Sequence, residues 1–230
     1  MCPKATVQTR DVLVQAESVA LEGFLAVPER AQGIVVFAHG SGSSRFSSRN
    51  RFVAEVLNDA GIATLLFDLL TPQESVIDEQ TAEFRFDIGL LSERLIGTID
   101  WVARYDTTHD MRIGLFGAST GAAGALVAAA QRPGHVSAVV SRGGRPDLAG
   151  SMLPLVKAPT LLIVGSRDTA VIELNREAAQ LLTAPHRIEL VRGASHLFEE
   201  PGTLERVAHL AQCWFTQYLS PDGQPDSRRI

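Results

Sequence analysis

Ile113-Gly114-Leu115-Phe116-Gly117-Ala118-Ser119-Thr120-Gly121 reads as a short buried strand, a very sharp turn and the first residues of an Ala-rich helix that continues from Ala122. A Gly-x-Ser-x-Gly pentapeptide at such a junction has the pattern of a nucleophile elbow. The flanking glycines remove Cβ atoms where the turn is tightest, so a strained serine can hold its Oγ exposed. Small residues crowd many strand-to-helix turns, and the pentapeptide alone has little discriminating power. Its meaning depends on what accompanies it.

A serine hydroxyl is a poor nucleophile until a base takes its proton, and the base needs an acid to orient it. Both residue types follow in order. Thr160 to Val164 is a continuous apolar run, as in a strand buried on both faces, and it ends in Gly165-Ser166-Arg167-Asp168. Asp168 therefore falls at the strand's C-terminal end, the edge at which open α/β sheets place their sites. The next strand, His186 to Val191, runs into Gly193-Ala194-Ser195-His196 and brings His196 to the same edge. The competing role for Asp168 is a plain helix N-cap. His109, His135, His186 and His209 fall in loops, a strand start or a helix, where solvated roles are expected.

Gly33 to Ala38 is a further buried-strand run, opening into His39-Gly40-Ser41-Gly42-Ser43-Ser44-Arg45. A tetrahedral acyl intermediate needs two preorganised N–H donors for its oxyanion. The residue after the nucleophile, Thr120, supplies one, and this glycine-rich loop supplies the other, with Ser41 the candidate and Gly42 next. His39 is expected to anchor the loop rather than move protons. A phosphate-cradling loop of the Walker kind would need a Gly-Lys-Ser/Thr that the segment lacks.

These four motifs, His39 to Gly42, Gly117 to Gly121, Gly165 to Asp168 and Gly193 to His196, stand in the order Ser, Asp, His. With them the chain resembles an α/β-hydrolase of the dienelactone hydrolase-like group, from the strand at Gly33 to the last helix. The resemblance implies a mostly parallel α/β sheet flanked by helices. It also implies a Ser119–His196–Asp168 triad with an oxyanion hole at Ser41 and Thr120. True dienelactone hydrolases carry cysteine as nucleophile where this chain has Ser119, which favours a serine carboxylesterase over dienelactone specificity. Similar sequences also occur joined to a phosphoribosyltransferase domain, which nothing in this chain supplies.

Composition agrees. The chain has 230 residues, 45% of them hydrophobic, enough for one sizeable core. A single domain over residues 1–219 and a disordered tail over 220–230 are expected. A net charge of −5 argues against a nucleic-acid partner. Two cysteines, Cys2 and Cys213, are too few for a disulfide framework, so a reducing cytoplasm is the default. The first residues lack an apolar signal-peptide core, and no apolar run reaches membrane-spanning length. No metal or organic cofactor is expected. The expected partner is a small-molecule ester, and the protein a monomer or homodimer.

Elsewhere, Val12 to Ala16 and Leu21 to Val27 suggest an antiparallel hairpin. Ser47 to Ala60, Phe86 to Ala103 and Leu204 to Leu219 carry helical spacing, and Ile62 to Phe67 and Val136 to Val140 read as strands. The loop Asp68 to Glu83 should form one wall of the site through Leu69, Leu70 and Thr71, and there is no room for a lid domain. Gly40 and Gly42 should also face the substrate. Arg45 or Arg142 could pair with a substrate carboxylate or phosphate; the alternative is that the arginines here bind loop carbonyls or acids such as Asp147. Lactonase, thioesterase and acyltransferase chemistries fit the same residues. Two more distant readings are a non-catalytic binding protein and a dinucleotide-dependent oxidoreductase. The latter is disfavoured because the strand after the glycine-rich turn ends in Ser141-Arg142, with no acid to hold a ribose.

Overall fold

The structure is a computed structural model and describes residues 6–220. The expected tail over 220–230 lies outside the described residues apart from Ser220. Eight strands form one sheet in the order β1-β2-β4-β3-β5-β6-β7-β8. These are β1 (Val7–Ala16), β2 (Val19–Pro28), β3 (Gly33–Ala38), β4 (Ala63–Phe67), β5 (Arg112–Ala118), β6 (Val136–Arg142), β7 (Thr160–Gly165) and β8 (His186–Val191). The pairs β1–β2 and β2–β4 are antiparallel, and every pairing from β4 through β3 to β8 is parallel. The expected hairpin is present and longer at both ends than its apolar alternation suggested.

Parallel strands need crossovers, which the helices supply on both faces. Helices α1 (Ser48–Asp59) and α6 (Thr203–Leu219) cover one face. Helices α3 (Ile88–Val102), α4 (Thr120–Gln131) and α5 (Thr169–Leu181) cover the other. Because both faces are covered, β3, β4 and β7 are buried along their whole length. This is why they read as unbroken apolar runs rather than alternating ones. No helix among the described residues is long and apolar enough to cross a membrane.

Two stretches are more ordered than the sequence suggested. Pro72–Thr81 is a helix, α2, inside the segment expected to be a loop. Thr71 caps it, accepting from the Glu74 amide at 3.2 Å while the Glu74 carboxylate accepts from the Thr71 amide at 2.8 Å. That reciprocal pair satisfies two amides at the helix start. Its apolar Val76 and Ile77 are exposed, so no buried stripe announces the helix. Residues 146–155 form 3-10 turns between β6 and β7, interrupted at Gly150; no lid domain is inserted there.

Strand β5 carries the elbow and lies between β3 and β6 in the middle of the parallel set. Phe215 of α6, fully buried, lies over Gly114 of β5, where an added Cβ would collide with its ring. Phe215→Ala should therefore cost about 3–5 kcal/mol of unfolding free energy. Urea titration checks this, and a loss under about 1 kcal/mol would mean that α6 can settle into the gap.

Candidate active site

At the end of β5 the chain turns through Ser119, whose φ of 50° and ψ of −123° lie in the positive-φ region that side-chain-bearing residues avoid. Besides the first turn of α4, where its carbonyl accepts from the Ala122 N–H at 3.1 Å, two backbone bonds to the end of β6 and the segment after it hold it there. Its N–H donates to the Arg142 carbonyl at 3.3 Å, and its carbonyl accepts from the Arg145 N–H at 3.1 Å. The flanking glycines are required by contact. A Cβ on Gly117 would overlap the Ala122 backbone, and one on Gly121 would overlap the carbonyls of Ala38 and His39. The elbow is therefore pressed directly against the end of β3.

Asp168 does stand at the N-cap of α5, the ordinary role its position allowed, but it makes no side-chain capping bond. Its Oδ2 instead accepts from His196 Nδ1 at 2.6 Å, across 28 residues of sequence. The bond fixes the imidazole with Nε2 as the free nitrogen. The two loops are zipped together. The Arg167 N–H donates to the Ala194 carbonyl at 2.9 Å, and the Gly193 N–H donates to Ser166 Oγ at 2.8 Å. Glu200 accepts from the Ser195 N–H through both carboxylate oxygens, at 3.0 and 3.1 Å. That hydrogen bond is the main cause holding the Glu200 carboxyl below its ordinary range. The motif did not signal Glu200's part in setting the histidine loop.

The His196 carbonyl and ring edge lie against Gly143, in the backbone segment whose neighbours Arg142 and Arg145 bond Ser119. Serine, histidine and aspartate are thus brought to one edge of the sheet. Among the described residues Ser119 Oγ and His196 Nε2 are not hydrogen-bonded to each other, and the one side-chain bond of His196 is that to Asp168. His109, His135, His186 and His209 are exposed and remote from this edge.

The loop after β3 packs on the elbow, with Gly40 against Ser119 Cβ. Thr120 is the first residue of α4, so its amide has no intrahelical acceptor. The Ser41 amide makes no backbone bond among the described residues. Ser41 Oγ and Thr120 Oγ1 are 2.9 Å apart and bonded, which ties the two segments together beside the serine. His39 anchors the loop from beneath. Its Nδ1–H donates to the Gly40 carbonyl at 3.0 Å, and its Nε2 accepts from the Leu69 N–H at 3.0 Å. That pattern requires the neutral ring. Burial, its largest cause, pushes the His39 pKa below the ordinary 6.5, with the Gly40 hydrogen bond and Asp68 opposing.

A pocket of about 250 Å³ opens beside Gly40 to Ser44 and Thr120, walled by Leu69, Leu70 and Leu91 and by Ser75, Asp78, Glu79 and Arg85. Leu69 and Leu70 line this pocket, whereas Thr71 is engaged in capping α2. Neither Arg45 nor Arg142 lines this pocket. Arg45 is bound through both Nη atoms by the Asp68 and Glu22 carboxylates and lies over the Phe24 and Phe46 rings, with its Nε unsatisfied among the described residues. Arg145 pairs with Asp147 at 2.8 Å, as the alternative reading had it. Arg142 is buried, with Asn50 Oδ1 at 3.5 Å as its one side-chain partner and its Nε and Nη1 unsatisfied among the described residues. Burial first, and neighbouring Arg49 second, push its pKa down to about 10.

The strand order, the strained serine on its strand–turn–helix and the paired aspartate and histidine beyond the following strands define an α/β-hydrolase fold. The chain belongs to the dienelactone hydrolase family, whose model matches residues 21–217, and this is a family of hydrolases. A dienelactone hydrolase structure from Anabaena variabilis is 57% identical, covers 93% of this chain and 99% of its own, and superposes with a TM-score of 0.92. Two curated proteins of Mycobacterium tuberculosis, both named putative phosphoribosyl transferase, are 57% identical over 213 residues, 93% of this chain. The chain spans about half the length of these curated relatives, 47%. Est1E from Butyrivibrio proteoclasticus, at 14% identity and a TM-score of 0.76 over 90% of this chain and 98% of its own, shares the fold.

Two outcomes are expected from these contacts. Ser119→Gly should raise stability by about 1 kcal/mol, because it relieves the positive-φ strain; an unchanged or lower melting temperature would show that the elbow is not strained. His39 makes the second. Its folded pKa is depressed, so the unfolded chain takes up the proton first as pH falls. The contribution of neutral His39 is present above pH 6.5 and is lost below it. Melting temperatures from pH 7.5 down to pH 5 should fall less steeply in His39→Gln than in the native protein.

Proposed function

We propose that this protein is a serine hydrolase that cleaves small carboxylic esters through an acyl-enzyme. The observation that carries the proposal is Asp168, which forgoes capping its own helix and hydrogen-bonds His196 at 2.6 Å. A carboxylate placed for structure alone would bond the vacant amides of α5. In the proposed reaction Ser119 Oγ attacks the ester carbonyl as His196 Nε2 takes its proton. Asp168 keeps the ring oriented and balances the positive charge of the imidazolium. The Ser41 and Thr120 amides donate to the oxyanion. Collapse of the tetrahedral species breaks the C–O bond, and the alcohol leaves with the proton from His196. Water then adds to the acyl-enzyme by the same steps in reverse roles, releasing the acid and restoring Ser119. The chemistry draws on side chains and backbone amides of this chain alone.

Lactones, thioesters and acyl transfer to alcohols pass through the same intermediate, so they remain within the proposal as substrate choices. The phosphoribosyl transferase name belongs to relatives about twice this length. The residues gathered at this site serve acyl transfer to water, and that is the activity assigned to this chain. The proposed ligand is a small-molecule ester, and the proposed setting is the cytoplasm.

Fluorophosphonate labelling followed by intact-mass measurement tests this reading. The native protein should gain one adduct. Ser119→Ala should gain none, and His196→Ala and Asp168→Asn should react about 10³- to 10⁴-fold more slowly. Equal labelling of native protein and Ser119→Ala would sink the assignment.

A further inference from the structure

We propose that the pocket beside the oxyanion loop receives a hydroxyl-rich part of the substrate, a polyol or sugar-like group, rather than an alkyl chain or a second anion. The inference deepens the hydrolase reading above and rests on it for the reaction, though not for binding.

The pocket's polar lining divides into groups already satisfied and groups that are not. Ser41 and Thr120 bond each other. Asp78 is engaged by the Phe84 and Arg85 amides and by Arg85 Nε, at 2.9, 2.9 and 2.7 Å. Four polar groups on lining residues make no side-chain bond among the described residues and so keep hydrogen-bonding capacity: the Ser43 and Ser75 hydroxyls, the Glu79 carboxylate and Arg85 Nη1. Arg85 is held in place because Nε and Nη2 both bond Asp78, and Nη1 is thereby set at the edge of the oxyanion loop, against Gly42. Leu69, Leu70 and Leu91 supply the apolar wall.

This set selects among ligand chemistries. An alkyl chain would strip water from four polar groups and give nothing back. A carboxylate or phosphate would suit Arg85 and the serines but would meet the like charge of Glu79. A hydroxyl both donates and accepts, so neighbouring hydroxyls can donate to Glu79 and accept from Arg85 Nη1 at once. The C–H faces of a polyol suit the leucine wall. At about 250 Å³ the cavity lies below the range of drug-sized ligand sites, which fits a small group.

The test separates binding from turnover. In the Ser119→Ala protein, affinities for ribitol, 1-pentanol and glutarate, three five-carbon probes, are measured by ligand-observed NMR titration. The same titrations follow with Ser75→Ala and Glu79→Leu added. Both sites lie on the partly exposed face of α2 and leave the Thr71–Glu74 cap and the Asp78–Arg85 pair intact. Ribitol should bind most tightly, and each substitution should weaken it about tenfold, the size of one lost hydrogen bond, while pentanol binding holds or improves in Glu79→Leu. Tighter binding of pentanol or glutarate than of ribitol, or ribitol binding indifferent to both substitutions, overturns the proposal. In the native enzyme, 4-nitrophenyl esters of polyhydroxylated acids should show higher kcat/KM than aliphatic esters of equal length. Absence of any turnover alongside selective ribitol binding would count against the hydrolase reading and leave the pocket assignment standing.

Discussion

The backbone of Ser119 is held at positive φ by bonds to Arg142 and Arg145, and this one constraint organises the edge of the sheet. Ser119 is half-buried at this turn, and α4 begins directly after it at Thr120. The strain is tolerable because the surroundings over-determine the turn. Gly121 admits the carbonyls of Ala38 and His39, Gly40 lies on the serine's own Cβ, and β6 grips the elbow from the other side. The sheet order makes this possible, since β3 and β6 flank β5 directly and each delivers a loop to the same place.

Charge at the site is arranged by burial as much as by pairing. His39 sits under the loop after β3 as a neutral ring, so it orders Gly40 and Leu69 without adding a charge there. Asp78 and Arg85 form a partly buried pair with α2 wrapped around it, and this fixes the outer wall of the pocket. Arg94 bonds Glu74 at 2.7 Å and ties the start of α2 to α3. The pocket's lining therefore combines the hydroxyls of α2 and the loop after β3, the charged Glu79 and Arg85, and a leucine wall.

Much of this was legible in the sequence because each motif follows a strand buried on both faces. The runs Gly33 to Ala38, Ile113 to Phe116 and Thr160 to Val164 are unbroken apolar stretches, and each ends where a loop of the candidate site begins. Asp168 and His196 could be paired in advance because the parallel sheet brings successive strand ends to one edge. Helix α2 is not legible for the opposite reason. Its apolar residues face solvent, and its one local signal, Thr71-Pro72 followed by Glu74, is a capping box that periodicity does not register. The partners of Arg45 lie on β2 and just after β4, a pairing across the sheet that no local pattern encodes. Arg85 is not legible in the sequence because only the folded chain brings it against Gly42 of the loop after β3.

The most direct test of this account is a crystal structure of the fluorophosphonate adduct. The phosphorus should be bonded to Ser119 Oγ, with the phosphoryl oxygen about 2.7–3.1 Å from the Ser41 and Thr120 amides and the His196–Asp168 bond retained. An adduct on another residue, or a phosphoryl oxygen turned away from both amides, would contradict the claim that the strained elbow and the loop after β3 together build the reaction centre.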